Sequence, residues 1–192
     1  MILEGLVTTT DADGRPHLAP MGPRVNADFT RLVLRPFPSS QTGRNLLRHG
    51  EGVFHITDDA ALIVRSAAGL LSEVPPTRPA QKIRGFVLGD CCRSYEFVVR
   101  TADTSHERFE LDAEVVATAT HREFVGFHRA RHALLEAAIL ATRFHLLPKS
   151  EIDAEFERLF KIVFKTGDPA EILAMHDLSK AHARFRSAGP RP

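Results

Sequence analysis

The sequence predicts a mainly β protein with a helical C-terminal extension, an α+β chain in which a β-barrel of about six or seven strands precedes three helices. Residues 1–121 contain short extended runs separated by turn residues, whereas residues 122–187 carry apolar residues at helical spacing. A chain of 192 residues can bury one substantial core with a small appended bundle. We therefore predict a barrel domain over residues 1–121, a helical extension over 122–187 and a flexible tail over 188–192.

Turn residues divide the first part of the chain into strands. Residues 2–10 and 15–21 flank the turn segment from Asp11 to Gly14, which predicts a hairpin. Pro36 closes a third strand over 31–35. Further strands are predicted over 52–57, 93–101 and 108–119, a short helix over 60–71, and an exposed loop over 75–79 because of its three prolines.

Three helical segments follow residue 120. The first has an apolar face that begins at Phe127, and we expect Pro148 to end it. The second covers residues 150–167. The third has Asp168 as its N-cap and Glu171 at the capping-box position, which together predict a well-defined start.

Composition excludes several function classes. The net charge of +1, from 25 basic and 24 acidic residues, provides no overall field for nucleic acid or an anionic membrane. Residues 1–5 lack the basic start and apolar core of a secretion signal, so we expect a cytoplasmic protein. Cys91 and Cys92 are the only cysteines and are adjacent, which excludes a disulfide framework. We expect both on a strand, one facing in and one facing out.

The segment from residue 35 to residue 45 has the composition of a phosphate site. Ser39, Ser40 and Thr42 offer hydroxyl groups, Arg35 and Arg44 offer charge-assisted hydrogen bonds, and the start of the following helix offers backbone N–H groups. A phosphate monoester needs such converging donors. The alternative is that the two serines only cap the helix and that the arginines lie in solvent.

Five short motifs support the phosphate interpretation. They are Gly5-Leu6-Val7-Thr8-Thr9, Ala19-Pro20-Met21-Gly22, Arg35-Pro36-Phe37, Ser40-x-Thr42-x-x-Asn45-Leu46 and Thr57-Asp58-Asp59. Their order resembles FMN-binding split-barrel proteins and, more narrowly, an uncharacterised family catalogued as domain of unknown function 447. The resemblance covers residues 1–121 well and the helical extension more loosely.

The resemblance implies FMN as cofactor, with Met21 and Gly22 beside the isoalloxazine ring. His55 departs from the pattern, which has an amide side chain there. The resemblance also implies a homodimer with the flavin site at the subunit interface and a small-molecule substrate. The implied phosphate ligands are Arg35, Ser40, Thr42 and Asn45, to which the donor argument adds Ser39.

Two classes of function fit this flavin interpretation. The first is an FMN-dependent oxidoreductase that transfers hydride between a nicotinamide or other donor and a small organic acceptor. The second is a non-catalytic flavin- or small-ligand-binding protein that acts as a carrier, sensor or assembly partner. A barrel that has lost flavin and serves as an interaction module is a third hypothesis. The motifs identify no catalytic side chain.

Other patterns favour structural roles. His128 and His132 are four residues apart on a predicted helix, but Arg129 stands where a zinc protease has glutamate, so we predict no metal site and interpret these residues as a solvated or partner-facing surface. Phe156, Phe160 and Phe164 are at helical spacing and are expected in the core, with a dimer contact as the other option. Motifs of hydrolases, dinucleotide folds and P-loops are missing from the sequence.

Overall fold

The computed structural model describes residues 1–187, so the predicted tail over 188–192 lies outside the described residues. The described chain forms nine strands and five helices and is an α+β protein, as predicted. It divides into two compact units: unit 1 contains residues 1–57 and 72–124, and unit 2 contains residues 58–71 and those from 125 onward. The predicted boundaries at residues 121 and 187 stay predictions. Among the described helices, none has the length and apolar character to cross a bilayer.

Unit 1 is built on a seven-stranded antiparallel sheet that forms a half-barrel. The strands of the unit are β1 (Gly5–Thr10), β2 (Pro16–Met21), β3 (Arg24–Val25), β4 (Arg31–Leu34), β5 (Glu51–Ile56), β6 (Thr77–Pro79), β7 (Phe86–Leu88), β8 (Arg93–Asp103) and β9 (Glu110–Thr120). The sheet order is β2-β1-β5-β8-β9-β4-β3, while β6 and β7 form a separate hairpin. This sheet confirms the predicted split-barrel fold.

Local chemistry explains the first hairpin. Gly14 adopts a φ of 80°, and the Asp11 carboxylate accepts hydrogen bonds from the N–H groups of Asp13 at 2.9 Å and Arg15 at 2.8 Å. These bonds lower the pKa of Asp11, with the bond from Arg15 contributing most. The turn sets a register in which Gly5 of β1 lies opposite Met21 of β2.

The core of unit 1 lies on one side of this sheet and reaches helix α1 (Gln41–His49) through Leu46, which is buried. Tyr95 is in the same cluster, and its ring stacks on Phe29 with centroids 5.3 Å apart. Helix α1 ends as predicted at Gly50, whose φ of 65° allows its N–H to donate to the Leu46 carbonyl at 2.9 Å.

Unit 2 consists of helices α2 (Ala60–Ala67), α3 (Arg129–Ala141), α4 (Lys149–Thr166) and α5 (Pro169–Ser187). Their apolar faces form one core that includes Leu134, Ile152 and Leu178, each fully buried. The capping box predicted for α5 is confirmed. The Asp168 N–H donates to Glu171 Oε2 at 2.9 Å, and the Glu171 N–H donates to Asp168 Oδ1 at 3.2 Å.

Three predictions about the helices need correction. Helix α3 ends at Ala141, well before Pro148, and that proline immediately precedes α4. Phe127 lies outside α3 and is 98% exposed, because His128 is extended and Gly126 has a φ of 106°. The aromatic stripe of α4 is only partly core, since Phe164 is exposed whereas Phe156 is buried.

Two predictions about unit 1 also need correction. The expected loop over 75–79 contains β6, which pairs with β7; a two-stranded hairpin has only edge strands, and these tolerate proline. Cys91 and Cys92 precede β8 instead of lying on a strand, and both side chains are buried. Neither forms a disulfide.

Candidate functional site

The start of α1 lies in the predicted phosphate segment, and Ser40 is its N-cap. Ser40 Oγ accepts a hydrogen bond from the Gly43 N–H at 3.0 Å and donates one to the Phe37 carbonyl at 2.7 Å. The hydroxyl therefore caps the helix, as in the alternative interpretation. Gly43 is required here, because a Cβ atom at this position would lie 2.7 Å from the Phe37 carbonyl oxygen.

Several donors at the same helix end have no partner within the described chain, and Thr42, which supplies two of them, is buried. Within residues 1–187, the backbone N–H groups of Gln41 and Thr42 and the Thr42 hydroxyl have no hydrogen-bond partner. The first turn of α1 contains no acidic residue. Unsatisfied N–H groups at the positive end of a helix favour an anion.

Asn45 holds α1 on the sheet. Its side chain is fully buried, and its Nδ2 donates to Thr9 Oγ1 on β1 at 2.9 Å. Its Oδ1 accepts from Gln41 Nε2 at 2.8 Å, and Gln41 Oε1 in turn accepts from Arg44 Nη2 at 2.8 Å. Asn45 is thus engaged in positioning the helix start, while the role predicted for it as a direct phosphate ligand stays a prediction.

Arginine side chains surround this segment. Arg35 follows β4 and lies with its Nε 3.7 Å from Glu110 Oε2, with 44% of its side chain exposed. Arg44 Nη1 donates to the carbonyl of Ser39 at 2.5 Å, and the Ser39 side chain is exposed. The guanidinium of Arg108 stacks on the Phe37 ring, 3.9 Å from its centroid.

Arg108 is a candidate ligand that the sequence does not reveal. It lies beside the phosphate segment because the N–H of Phe109 donates to the Pro36 carbonyl at 3.1 Å, next to the pairing of β9 with β4. The pairing of distant strands leaves no local signal in the sequence. Arg35 and Arg108 therefore place two guanidinium groups beside the phosphate segment, and Glu110 is the carboxylate that pairs with Arg35.

The predicted ring residues lie at the end of β2. Met21 is partly buried against the core of unit 1. Gly22 lies close to Glu4, since a Cβ atom on Gly22 would be 2.7 Å from Glu4 Oε1. Helix α1 contacts both β1 and β2, so the predicted ring and phosphate residues belong to adjoining elements.

His55 stands where the resemblance implies an amide, and its ring makes two contacts with the backbone. Its Nδ1 lies 3.3 Å from the Leu6 carbonyl, and its Nε2 accepts from the Leu88 N–H at 3.1 Å. A neutral imidazole with the proton on Nδ1 provides one donor and one acceptor, as an amide does. Burial lowers the pKa of His55 to about 3. Both nitrogens are occupied, so the ring is structural in this arrangement.

A second histidine, His121, lies near the start of β8, where Ser94 is paired with His55 on β5. Arg78 Nη2 is 2.7 Å from His121 Nδ1, and His121 Nε2 is 2.9 Å from Ser94 Oγ. Burial, with a further contribution from Arg78, lowers the pKa of His121. Arg78 Nη2 also lies 3.1 Å from His121 Nε2, so the guanidinium, which can only donate, faces both ring nitrogens.

Comparison with known proteins identifies relatives of the whole chain. A family model described as protein of unknown function (DUF447) N-terminal domain matches residues 3–122, and a model described as protein of unknown function (DUF447) matches residues 128–180. No curated protein has a significantly similar sequence.

Solved structures share the fold. An FMN-bound protein from Methanosarcina mazei assigned to the same family is 22% identical, with a TM-score of 0.79 over 94% of each chain. The 2-nitrobenzoate 2-nitroreductase of Pseudomonas fluorescens is 16% identical, with a TM-score of 0.52 over 62% of this chain and 64% of that chain. Flavoredoxin of Desulfovibrio vulgaris is 14% identical, with a TM-score of 0.52 over 62% of this chain and 70% of that chain.

Proposed function

The chain belongs to the family described as protein of unknown function (DUF447), and from that membership we propose that it is an FMN-binding flavoprotein that acts as an oxidoreductase. The observation that carries the proposal is its likeness to the FMN-bound protein of Methanosarcina mazei, which extends over 94% of both chains. The likeness therefore includes both the sheet and the helical extension.

The donors at the start of α1 fit the phosphate end of FMN. The N–H groups of Gln41 and Thr42 and the Thr42 hydroxyl can each donate to a phosphate oxygen, and Arg35 and Arg108 supply positive charge. A dianionic ester is attracted to two guanidinium groups beside one carboxylate. Ser39 and Asn45 contribute in this proposal by shaping the segment. The Ser39 carbonyl accepts a hydrogen bond from Arg44, and the Asn45 side chain donates one to Thr9 on β1.

The isoalloxazine ring is proposed to lie beside Met21 and Gly22. Met21 offers a polarisable apolar side chain, and Gly22 allows close approach of the backbone. When bound, FMN supplies the capacity to accept and donate hydride. In this proposal the chain binds and orients the flavin, and Met21 is the apolar contact to the ring.

The proposed reaction moves hydride between a nicotinamide or other donor and a small organic acceptor. The shared fold of a nitroreductase and a flavoredoxin supports a redox role. A non-catalytic flavin carrier or sensor is the competing function. Purified protein that contains flavin but oxidises neither NADH nor NADPH, with quinone and nitroaromatic acceptors present, would favour the carrier.

We further propose a homodimer with the flavin site at the subunit interface, as the split-barrel resemblance implies. The exposed positions of Arg35 and Arg108 leave room for a second subunit to cover the ligand. The proposal includes the cytoplasm as the site of action, and the free thiols of Cys91 and Cys92 are compatible with that reducing compartment.

Fluorescence titration of the flavin-free chain with FMN tests the binding proposal. Arg35→Ala and Arg108→Ala are expected to weaken binding by about 1.5 to 3 kcal/mol each, the scale of a charged hydrogen bond. Arg31→Ala is the matched control, since Arg31 lies on β4 and pairs with Asp112 instead of facing the segment. Wild-type protein that fails to quench FMN fluorescence would refute the proposal, and equal losses in all three variants would remove the two arginines from the site.

A further inference from the structure

A second region of unit 1 has space for a ligand, at the C-terminal end of α1 instead of its start. There the turn of the β1–β2 hairpin, the end of α1 and the β6–β7 hairpin surround a cavity of about 710 Å³. Small-molecule sites have volumes of roughly 300 to 1,000 Å³. The residues assigned above to FMN do not line this cavity.

Two exposed arginines line the cavity, and neither guanidinium is bonded to a neighbouring side chain in the described part of the chain. Arg48 is in the last turn of α1, and Arg84 is in the β6–β7 hairpin. Across residues 1–187, neither guanidinium has an ion-pair or hydrogen-bond partner. Most arginines of unit 1 do have one, as Arg31 has Asp112 and Arg100 has Glu114.

The backbone of Arg84 is held in place although its side chain is not. Its N–H donates to Glu51 Oε2 at 3.0 Å, and its carbonyl accepts from Thr10 Oγ1 at 3.3 Å. The hairpin is anchored further by Glu96, a buried carboxylate that accepts the N–H groups of Gln81 at 2.8 Å and Lys82 at 2.7 Å. A fixed backbone keeps the Arg84 side chain at the edge of the cavity, which removes the backbone share of the ordering cost of binding.

The charge balance of the lining favours an anion. Glu51 is the carboxylate of the lining, and it already accepts a backbone hydrogen bond, whereas Arg48 and Arg84 contribute two positive charges. His49 also lines the cavity, and its Nε2 lies 3.2 Å from the Asp11 carbonyl. Guanidinium groups match the planar, paired oxygens of carboxylates and phosphates.

The remaining wall is apolar. Ile83 and Phe86 both line the cavity and are half-buried, so each has surface left for a ligand to cover. The Phe86 carbonyl accepts a hydrogen bond from the Thr8 hydroxyl, which fixes β7 beside β1. A ligand that satisfies the arginines can thus place a flat apolar body on the phenyl ring.

We propose that this cavity binds a small organic anion: a phosphate monoester or carboxylate on an aromatic or similarly flat apolar body. Arg48 and Arg84 hold the anionic group, and Ile83 and Phe86 contact the body. This second site is independent of the flavin phosphate segment.

Isothermal titration of the full chain with phenyl phosphate and with benzoate tests the site, and separates a phosphate from a carboxylate preference. Saturable binding of at least one anion is expected, and Arg48→Gln and Arg84→Gln should each weaken it about tenfold or more. Benzyl alcohol, which has the ring without the charge, should not bind. Arg24→Gln is the matched control, because Arg24 is exposed, has no side-chain partner within residues 1–187 and lies outside the lining.

The same titrations with FMN-saturated protein separate this site from the proposed flavin site. An unchanged dissociation constant, still sensitive to Arg84→Gln, supports two independent sites. Competition between FMN and the anion would overturn the inference, as would non-saturable binding of both anions or an equal loss in the Arg24 variant. A chain that fails to bind FMN but binds the anion through Arg84 would refute the proposed function and leave this site standing.

Discussion

Protonation of His55 should make the stability of unit 1 depend on pH. The imidazole is fully buried, and Nε2 accepts the Leu88 N–H, so a proton on Nε2 would face another donor. Burial accordingly lowers the pKa from 6.5 in the unfolded chain to about 3 in the folded protein. Between these two values the unfolded state binds a proton that the folded state does not. Stability is therefore complete above the unfolded pKa and is lost as the pH falls towards the folded one.

The size of this effect follows from the two pKa values. Each pH unit below the unfolded pKa costs about 1.4 kcal/mol, so the His55 contribution between about pH 7.5 and about pH 5 is about 2 kcal/mol. His17 and His121 also have lowered pKa values, mainly through burial, and add to the total slope. A variant that removes only the titration of His55 is needed to isolate its share.

His55→Gln provides that variant, because an amide can donate to the Leu6 carbonyl and accept from Leu88 without titrating. Tyr95 is the only tyrosine, tryptophan is absent from the sequence, and Tyr95 is buried in unit 1, so its fluorescence follows urea unfolding of that unit. The free energy of unfolding of the wild type, relative to that of the variant, should fall by about 2 kcal/mol when the pH is lowered from about 7.5 to about 5. A difference that stays constant over this range would refute the reasoning.

Two further predictions concern buried charge and backbone geometry. Arg131→Met should lower the free energy of unfolding of unit 2 by about 2 to 4 kcal/mol, measured by circular dichroism in urea. Arg131 Nε is 2.7 Å from the Glu171 carboxylate, and both this carboxylate and that of Asp58 are buried, so the substitution leaves buried charges without their partner. Arg158→Met, which breaks an exposed pair, should lower the free energy of unfolding much less than Arg131→Met does, and equal losses would contradict the account. Gly50→Ala should cost about 1 kcal/mol in Tyr95 fluorescence unfolding because of the positive φ, and a neutral result would contradict that assignment.

The elements that the sequence predicted well are those with local determinants. The turn at Asp11 is fixed by bonds to its own neighbours, the end of α1 by the conformation of Gly50, and the start of α5 by reciprocal bonds between Asp168 and Glu171. Each involves residues within four positions of one another. Composition at these positions is therefore enough to place an element boundary.

The elements that the sequence missed depend on distant partners. Strand β6 contains Pro79, which argues against a strand until its pairing with β7 is known. The first apolar face of the extension suggested a helix through Phe127, but Gly126 and the extended His128 delay its start. Local propensity cannot reveal such tertiary constraints.

The candidate site shows the same division. Composition identified the hydroxyl groups and arginines of the phosphate segment as candidate ligands. It did not predict which hydrogen bonds each of these groups forms within the protein. The Ser40 hydroxyl caps the helix, and the Asn45 amide donates to Thr9. The Thr42 hydroxyl and the backbone N–H of Gln41 have no partner within residues 1–187. Hydrogen-bond assignments of this kind require coordinates, since several partners compete for each group.

The central claim is that the start of α1 recognises a phosphate ester, and riboflavin provides the direct comparison because it is FMN without the phosphate. Fluorescence-quenching titrations of the wild-type chain with both flavins should give a dissociation constant for FMN at least about tenfold below that for riboflavin, since charged hydrogen bonds to the phosphate are lost in the second ligand. Equal dissociation constants for the two flavins would contradict the account.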